Sequence, residues 1–270
     1  MNNHLGKYEI ISVNDVTIDA RVQQQFRPSK VTRMVKDGFD PSLAGTITVS
    51  RRSTGALIVL DGQHRVKAAI EVGVTHLPAL VHEGLSLAEE ASFFLGLNAK
   101  SNPTAVAKFL VSVVSGDKDD TAIKNIIEQY GWRIREGSTR DGGIFNAVKR
   151  AQDIYGLNTK FFSDSDVFGN QLLDASMEAL TEAWGTKNSL AVKSTTLGGI
   201  AIFFKRYWGD IDTDRLIRQL GTTDPDRFAQ DAKGVQDSMK LSAVESAGFS
   251  IHRLYNHGAR HNRKLDTWFM

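Results

Sequence analysis

Five consecutive residues combine the side-chain types that phosphate binding requires: Asp61-Gly62-Gln63-His64-Arg65. They follow an apolar run typical of a strand and precede a helical pattern, so the amides of Gly62 to Arg65 are expected at a helix N-terminus. Unpaired N–H groups and the helix dipole attract anions there. Gly62 has no Cβ to obstruct a phosphate, and Arg65 adds a planar cation that fits phosphate oxygens. The segment therefore predicts a phosphate-binding turn.

Two of these residues could also move protons. His64 titrates near neutral pH, and Asp61 could accept a proton beside a bound phosphate, so both are the predicted catalytic residues of the site. The spacing alone is equally compatible with a plain Asp-Gly turn, in which His64 is exposed and Arg65 is a solvated helix residue.

The surrounding elements predict an α+β fold, in which a small mixed sheet is followed by a mostly helical C-terminal extension. A short strand followed by a turn at Asn14-Asp15 is expected within 8–18, and further strands at 46–50, 56–60 and 77–82. Helices are expected within 21–36, with Pro28 in the first turn, and at 65–72 and 86–97. Ser86 and Glu89 form a capping-box pattern at the start of the last of these helices. Beyond Pro103, helices are expected at about 105–115, 121–130, 145–155, 168–184, 196–208, 212–220, 226–233 and 242–256.

The Asp-Gly-Gln-His-Arg segment, with Ala68 and Ala69 after it, resembles the phosphate-binding box of the ParB/sulfiredoxin superfamily in the variant known from DGQHR-motif proteins. Further resemblances to ParB proteins lie at Gln25-Phe26-Arg27, at 47–49 and at 95–103. They cover about residues 8–110, and the remainder is similar to actinobacteriophage proteins described as ParB-like. The resemblance implies a sulfiredoxin-like nucleotide-binding domain over residues 1–104.

The cofactor that this resemblance implies is a nucleoside triphosphate, ATP or CTP. Its phosphates would contact Gly62, Gln63, His64 and Arg65, with Arg27 and Asn98 as further cofactor-binding residues. Gln63 stands where sulfiredoxins have their cysteine, which excludes repair of cysteine-sulfinic acid. Leu97 replaces the acidic residue of the later ParB box, so no metal ligand is predicted and a role for Mg²⁺ stays open.

Basic residues elsewhere predict a second partner, DNA. Residues 105–157 are expected to form a helix-hairpin-helix segment that contacts DNA, and residues 158–270 a helical region with a basic tail. The predicted nucleic-acid contacts are Arg133, Arg135, Arg140, Lys149, Arg150, Arg260, Arg263 and Lys264. The alternative is that these cations lie on a solvated face of packed helices.

The amino-acid composition excludes several classes of protein and of functional site. The 33 basic and 31 acidic residues give a net charge of +2, which excludes a histone-like polycation. The absence of cysteine excludes disulfides, thiol catalysis, thiolate zinc sites and iron–sulfur clusters. No apolar run is long enough to cross a membrane, and no signal-peptide core is present, so a cytoplasmic protein without a membrane partner is expected.

The preferred interpretation is a ParB-like nucleotide-binding protein that acts on or near DNA in a phage or bacterial cytoplasm, with a homodimer as one expected form. One alternative is a phosphotransferase, ATPase or nuclease that uses the same pocket. Another is an interaction protein that has lost nucleotide binding. Glu89 and Glu90 could supply a general base or a magnesium ligand, whereas the simpler interpretation is a capping box with an exposed neighbour.

Overall fold

The computed structural model describes residues 5–23, 26–98, 104–135, 142–163, 165–260 and 264–268. The chain forms two compact units, Met1–Asp117 and Lys118–Met270. The first contains a five-stranded sheet with helices, and the second is mainly helical. This composition confirms the predicted α+β fold class. No helix among these residues is long and apolar enough to span a membrane.

The first unit is built on a mixed sheet. Its strands are β1 (Lys7–Ser12), β2 (Val16–Thr17), β3 (Ile47–Arg51), β4 (Leu57–Asp61) and β5 (His76–Glu83). Their order across the sheet is β1-β5-β3-β4-β2. The pairs β1–β5 and β3–β4 are antiparallel, whereas β3–β5 and β2–β4 are parallel. The antiparallel β3–β4 pair forms a hairpin that residues 52–56 join.

Among its described residues the first unit also contains four helices: α1 (Pro28–Lys36), α2 (Gln63–Glu71), α3 (Leu87–Leu97) and α4 (Ala105–Val114). The capping box at the start of α3 is confirmed, because Ser86 and Glu89 each accept a hydrogen bond from the other's backbone N–H. Val111 of α4 packs in one apolar cluster with Phe94 of α3. The first unit therefore extends past residue 104, where the sequence placed the end of the first domain.

Helix α2 packs closely on the sheet. Ala68 and Ala69 are fully buried, and Val66 joins the apolar core formed by the strands. The helix begins at Gln63, two residues earlier than the pattern predicted, because Gly62 serves as its N-cap in the left-handed conformation. Strand β4 therefore runs into α2 through a single residue.

The second unit contains seven helices among its described residues: α5 (Lys118–Gln129), α6 (Val148–Tyr155), α7 (Gly169–Trp184), α8 (Ser194–Tyr207), α9 (Thr213–Leu220), α10 (Pro225–Met239) and α11 (Ala243–Asn256). A 3₁₀ turn at Ser189–Val192 was not predicted. Helix α10 ends six residues later than expected, at Met239, because it continues through Gly234.

The hairpin that the sequence predicted between α5 and α6 is wrong, because the two strands in this region are parallel. Strands β6 (Arg133–Ile134) and β7 (Ile144–Phe145) pair in parallel. A β-hairpin joins antiparallel strands, so β6 and β7 do not form the predicted hairpin.

The C-terminal segment packs against its own unit. Asn256 exchanges hydrogen bonds with the backbone of Leu265, and the Tyr207 hydroxyl donates to the carbonyl of Asp266. Trp268 is buried against Gly248 of α11. Lys264 therefore belongs to a segment that packs against its own unit, and not to a free basic tail.

Candidate functional site

The residues of the Asp-Gly-Gln-His-Arg segment line one small pocket in the first unit. Its volume is about 180 Å³, and its lining residues are Gln23, Lys30, Asp61, Gly62, Gln63, His64, Arg65 and Asn98. Six of these eight residues were predicted as site residues from the sequence. The pocket lies where β4 ends and α2 begins, so the predicted helix N-terminus forms part of its wall.

Gly62 shapes the turn at the start of α2. Its φ of 98° lies in the region that side chains of L-residues rarely adopt. A Cβ at this position would lie 2.6 Å from Cγ2 of Ile47. The glycine is therefore required by backbone conformation and by the packing of β3 against the turn, independently of any ligand. Helix α2 has no side-chain N-cap.

Arg65 is held by three acceptors of its own unit. Its Nη1 donates to the carbonyl oxygens of Ala44 and Thr46, at 3.2 and 2.8 Å, and its Nη2 lies 2.8 Å from Oδ2 of Asp61. The Arg65 side chain is 21% exposed. It therefore ties the segment before β3 to the pocket and orients Asp61, in addition to placing positive charge at the pocket wall.

His64 lies at the side of the pocket near α1. Its ring stacks on Phe26, with 5.6 Å between ring centres, and its Nε2 accepts a hydrogen bond of 3.4 Å from the backbone N–H of Arg27. Burial lowers the pKa of His64, and the positive charges of Lys30 and Arg27 lower it further, while Asp61 acts in the opposite direction. The imidazole is therefore neutral at pH 7.

This electrostatic environment predicts a pH dependence of stability. Because its pKa is lowered on folding, His64 binds fewer protons in the folded than in the unfolded state. Its contribution to the free energy of unfolding is therefore fully present above the unfolded pKa of about 6.5 and is lost as pH falls from there through the folded pKa.

The measurement is the urea midpoint between pH 8 and pH 5 for the wild type and for His64→Gln. The wild type should lose more stability than the variant as the pH falls, since the other titrating groups are common to both proteins. Parallel pH profiles would show that His64 is not shifted by its surroundings.

Lys30 and Gln23 are site residues that sequence analysis missed. Lys30 lies in the first turn of α1, after Pro28, and is exposed, with no ion pair to any described residue. Gln23 is buried, and its Nε2 donates to the carbonyl oxygens of Val59 and Leu60 at 2.6 and 2.8 Å. Proline at the first helical position indicates where α1 starts, but only the folded chain places that start beside Gly62.

Two other predicted cofactor contacts have definite positions. Asn98 is buried at the C-terminus of α3, and its Nδ2 donates to the carbonyl of Phe94 at 2.9 Å. Arg27 is the exposed N-cap residue of α1 and approaches the site through its backbone N–H, although it does not line the pocket. Gln25 and most of the later box, residues 99–103, lie outside the described residues.

Glu90 is not the exposed neighbour of a capping box that the simpler interpretation expected. It is fully buried, and its Oε1 accepts a hydrogen bond of 2.9 Å from Nε of Arg52, whose Nη2 contacts Oε2 of Glu90 and Oδ2 of Asp19. Its carboxylate is therefore occupied by an arginine. Over the part of the chain that the structure describes, no three His, Asp or Glu residues are grouped to hold a metal ion.

The predicted nucleic-acid contacts differ in their surroundings. Those that are exposed are Arg133, Arg135, Arg260 and Lys264. Lys149 is exposed but pairs with Asp153 at 2.8 Å. Arg150 is largely buried, 3.8 Å from the same carboxylate and packed against Gly198 of α8. Arg140 and Arg263 lie outside the described residues.

Comparison with known proteins gives a family but no function. No curated protein matches the sequence significantly. The structure resembles that of the C-terminally truncated chromosome-partitioning protein ParB from Caulobacter crescentus complexed to the centromeric parS site, with 13% identity and a TM-score of 0.36 over 90% of this chain and 98% of that chain. A TM-score this low does not establish a common fold. Residues 19–265 match DUF6551, a family of unknown function, and the chain belongs to that family.

Proposed function

We propose that this protein binds the phosphate groups of a nucleoside triphosphate, ATP or CTP, at the turn between β4 and α2, and that the bound nucleotide regulates an association with DNA. The observation that carries the proposal is the pocket itself. It combines the N-terminus of α2, the left-handed Gly62 and the side chains of Lys30 and Arg65. Backbone amides at a helix start together with flexible and planar cations are the groups that bind phosphate.

The size of the pocket defines which part of the ligand it would hold. Its volume of about 180 Å³ is below the roughly 300–1,000 Å³ of pockets that enclose a whole small molecule. It is therefore suited to one or two phosphate groups, and the sugar and base would lie outside it.

The two basic side chains of the pocket, Arg65 and Lys30, have different roles. Arg65 is already bonded to Asp61 and to two backbone carbonyls, so it maintains the shape of the site. Lys30 is the exposed cation of the lining, with no ion pair to a described residue, and its flexible side chain can follow a phosphate. Lys30 is therefore the strongest candidate for direct charge contact with the ligand.

A regulatory role is favoured over rapid turnover. Asp61, the predicted proton acceptor, is engaged with Arg65, and Glu90 is buried with Arg52. A transferring phosphoryl group requires compensation of its developing charge, for which metal ions are the usual means. Mg²⁺ would therefore have to be held mainly by the nucleotide's own phosphates.

DNA is the proposed macromolecular partner. The resemblance of the Asp-Gly-Gln-His-Arg segment to the ParB box supports it, and so do the four exposed cations Arg133, Arg135, Arg260 and Lys264. Arg150 is left out of the proposed DNA contacts because its side chain is packed inside the second unit. We place this activity in the cytoplasm of a bacterium or of a phage-infected cell, with the homodimer as one form of the protein.

The test is calorimetric titration with ATP and CTP, with and without Mg²⁺, of the wild type, Lys30→Gln and Lys36→Gln. Lys36 is an exposed lysine in the last turn of the same helix and is absent from the pocket, so it is a matched control. A charge-assisted hydrogen bond contributes roughly 1.5–3 kcal/mol. Because Lys30 is exposed, we expect the lower part of this range, which is about a tenfold weaker affinity for Lys30→Gln.

Wild-type affinity is expected in Lys36→Gln. Equal weakening by both substitutions, or no binding of either nucleotide to the wild type, would contradict the proposed site. Titration of a labelled DNA duplex with and without the nucleotide completes the experiment. An affinity for DNA that the nucleotide does not change would refute its regulatory role.

A further inference from the structure

A second cavity lies in the helical unit, in a groove between α10 and α11. Its volume is about 560 Å³. The apolar part of its lining consists of Phe228, Val235 and Leu254. Phe228 and Val235 are buried, so the groove has a firm hydrophobic floor. The volume of this cavity lies within the range of small-molecule sites, about 300–1,000 Å³, and its lining combines apolar with polar groups.

One polar group in the groove lacks a partner. Ser250 is 7% exposed, and its buried hydroxyl makes no hydrogen bond in the structure. A helical serine commonly donates to the carbonyl four residues earlier, as Ser246 of the same helix does to Ser242 at 2.8 Å. Ser250 lines the groove without this bond. A buried hydroxyl without a partner is unfavourable, and a ligand atom in the groove would satisfy it.

A glycine in the middle of α10 leaves space at the same place. Gly234 lines the groove, and a Cβ added there would meet no atom within 4 Å. Other helical glycines of this unit are required by packing, since a Cβ at Gly199 would lie 2.5 Å from Cβ of Ala247. Glycine destabilises a helix interior relative to alanine, so a glycine that no neighbour requires indicates that the open space itself has a use.

The charged groups at the rim favour an anion. Arg253 is exposed and forms no ion pair with a described residue, and His257 lies one turn further along. Asp231 is the acidic residue of the lining, and it makes no ion pair with Arg253. The guanidinium of Arg253 is therefore available to an anionic ligand, and Asp231 is the carboxylate that opposes such binding.

We infer that the groove between α10 and α11 binds a small organic anion with an apolar body, whose acidic group contacts Arg253 and whose body covers Ser250 and Gly234. This site is separate from the proposed nucleotide pocket and does not depend on it. The anion could be a carboxylate or a sulfonate, because the fork of an arginine accepts either.

The probe is 1-anilinonaphthalene-8-sulfonate, which joins an apolar ring system to one sulfonate and becomes fluorescent in an apolar site. It is titrated into the folded full-length protein, whose near-UV circular dichroism is recorded for every variant. We expect saturable binding of one molecule per chain. Gly234→Leu should weaken it at least tenfold, since the leucine occupies the groove without a clash at its Cβ.

Charge variants identify the class of ligand. Arg253→Gln should weaken binding, and Asp231→Asn should strengthen it because a repulsive charge is removed. Arg218→Gln is the matched control: Arg218 is an exposed arginine in the last turn of α9 and does not line the groove, so wild-type affinity is expected.

Several results would overturn the inference. The first is the absence of saturable binding, and the second is an unchanged affinity in a folded Gly234→Leu variant. If that variant does not fold, Arg253→Gln and Asp231→Asn alone decide the outcome. Charge effects of the opposite sign would indicate a cation site, and an equal loss in Arg218→Gln would indicate attraction by the general surface charge.

Discussion

Replacing Glu90 with glutamine should destabilise the first unit by about 3 kcal/mol, the lower end of the range for breaking a buried ion pair. Glu90 is fully buried, and Arg52 is 24% exposed. The substitution removes one of the two negative charges, those of Glu90 and Asp19, that offset the partly buried guanidinium, while the amide retains one acceptor oxygen. The expected result is a lower urea midpoint for the unfolding transition of this unit, followed by circular dichroism.

The neighbouring residue supplies the control. Glu89→Gln alters the capping box at the start of α3, where a lost cap costs about 1 kcal/mol. Its urea midpoint should therefore stay close to that of the wild type. Equal midpoints for Glu89→Gln and Glu90→Gln would show that the Arg52–Glu90 pair contributes nothing beyond a surface contact.

The same network extends to the start of the chain. Arg52 also donates to Asp19 at 2.9 Å, and Arg21 lies 2.6 Å from the same carboxylate oxygen. Hydrogen bonds from Arg21 and then from Arg52 hold the pKa of Asp19 well below its usual range. Because Asp19 lies four residues before Gln23, this network anchors the segment that leads into the pocket.

Local patterns in the sequence were sufficient to predict the elements that carry the site. The apolar run and the Asp-Gly step predicted a strand and a turn that leads into a helix, and the structure has these elements there. The capping box at Ser86 also predicted the start of α3 correctly. Each of these features depends on residues within about one helical turn, which is why the sequence alone reveals them.

Contacts between distant segments could not be predicted in this way. Lys30 lies in α1, more than thirty residues before Gly62, and no local pattern indicates that this residue lines the same pocket. The burial of Glu90 depends on Arg52, which belongs to the loop between β3 and β4. A sequence does not distinguish an exposed carboxylate from a buried one whose partner lies far away along the chain.

Substituting alanine for Gly62 should destabilise the first unit by about 2–5 kcal/mol. Two physical terms add: a left-handed conformation costs an L-residue about 1–2 kcal/mol, and overpacking typically costs about 1–3 kcal/mol. The second term arises because the new Cβ would lie 2.6 Å from Cγ2 of Ile47. Urea unfolding without any nucleotide is the appropriate measurement, since neither term involves a ligand.

The substitution Gly73→Ala, at the other end of α2, distinguishes the cost of the left-handed conformation from the cost of overpacking. The φ of Gly73, 75°, is also left-handed, but a Cβ there would meet no atom within 4 Å, so Gly73→Ala should lose only about 1–2 kcal/mol. If Gly62→Ala is as stable as Gly73→Ala, the contact with Ile47 relaxes without cost and the turn is softer than the structure indicates. If Gly62→Ala is the less stable variant, as expected, Gly62 is required for the stability of the fold even when no phosphate is bound. The nucleotide affinity of Gly62→Ala should then be measured at a temperature where this variant remains folded.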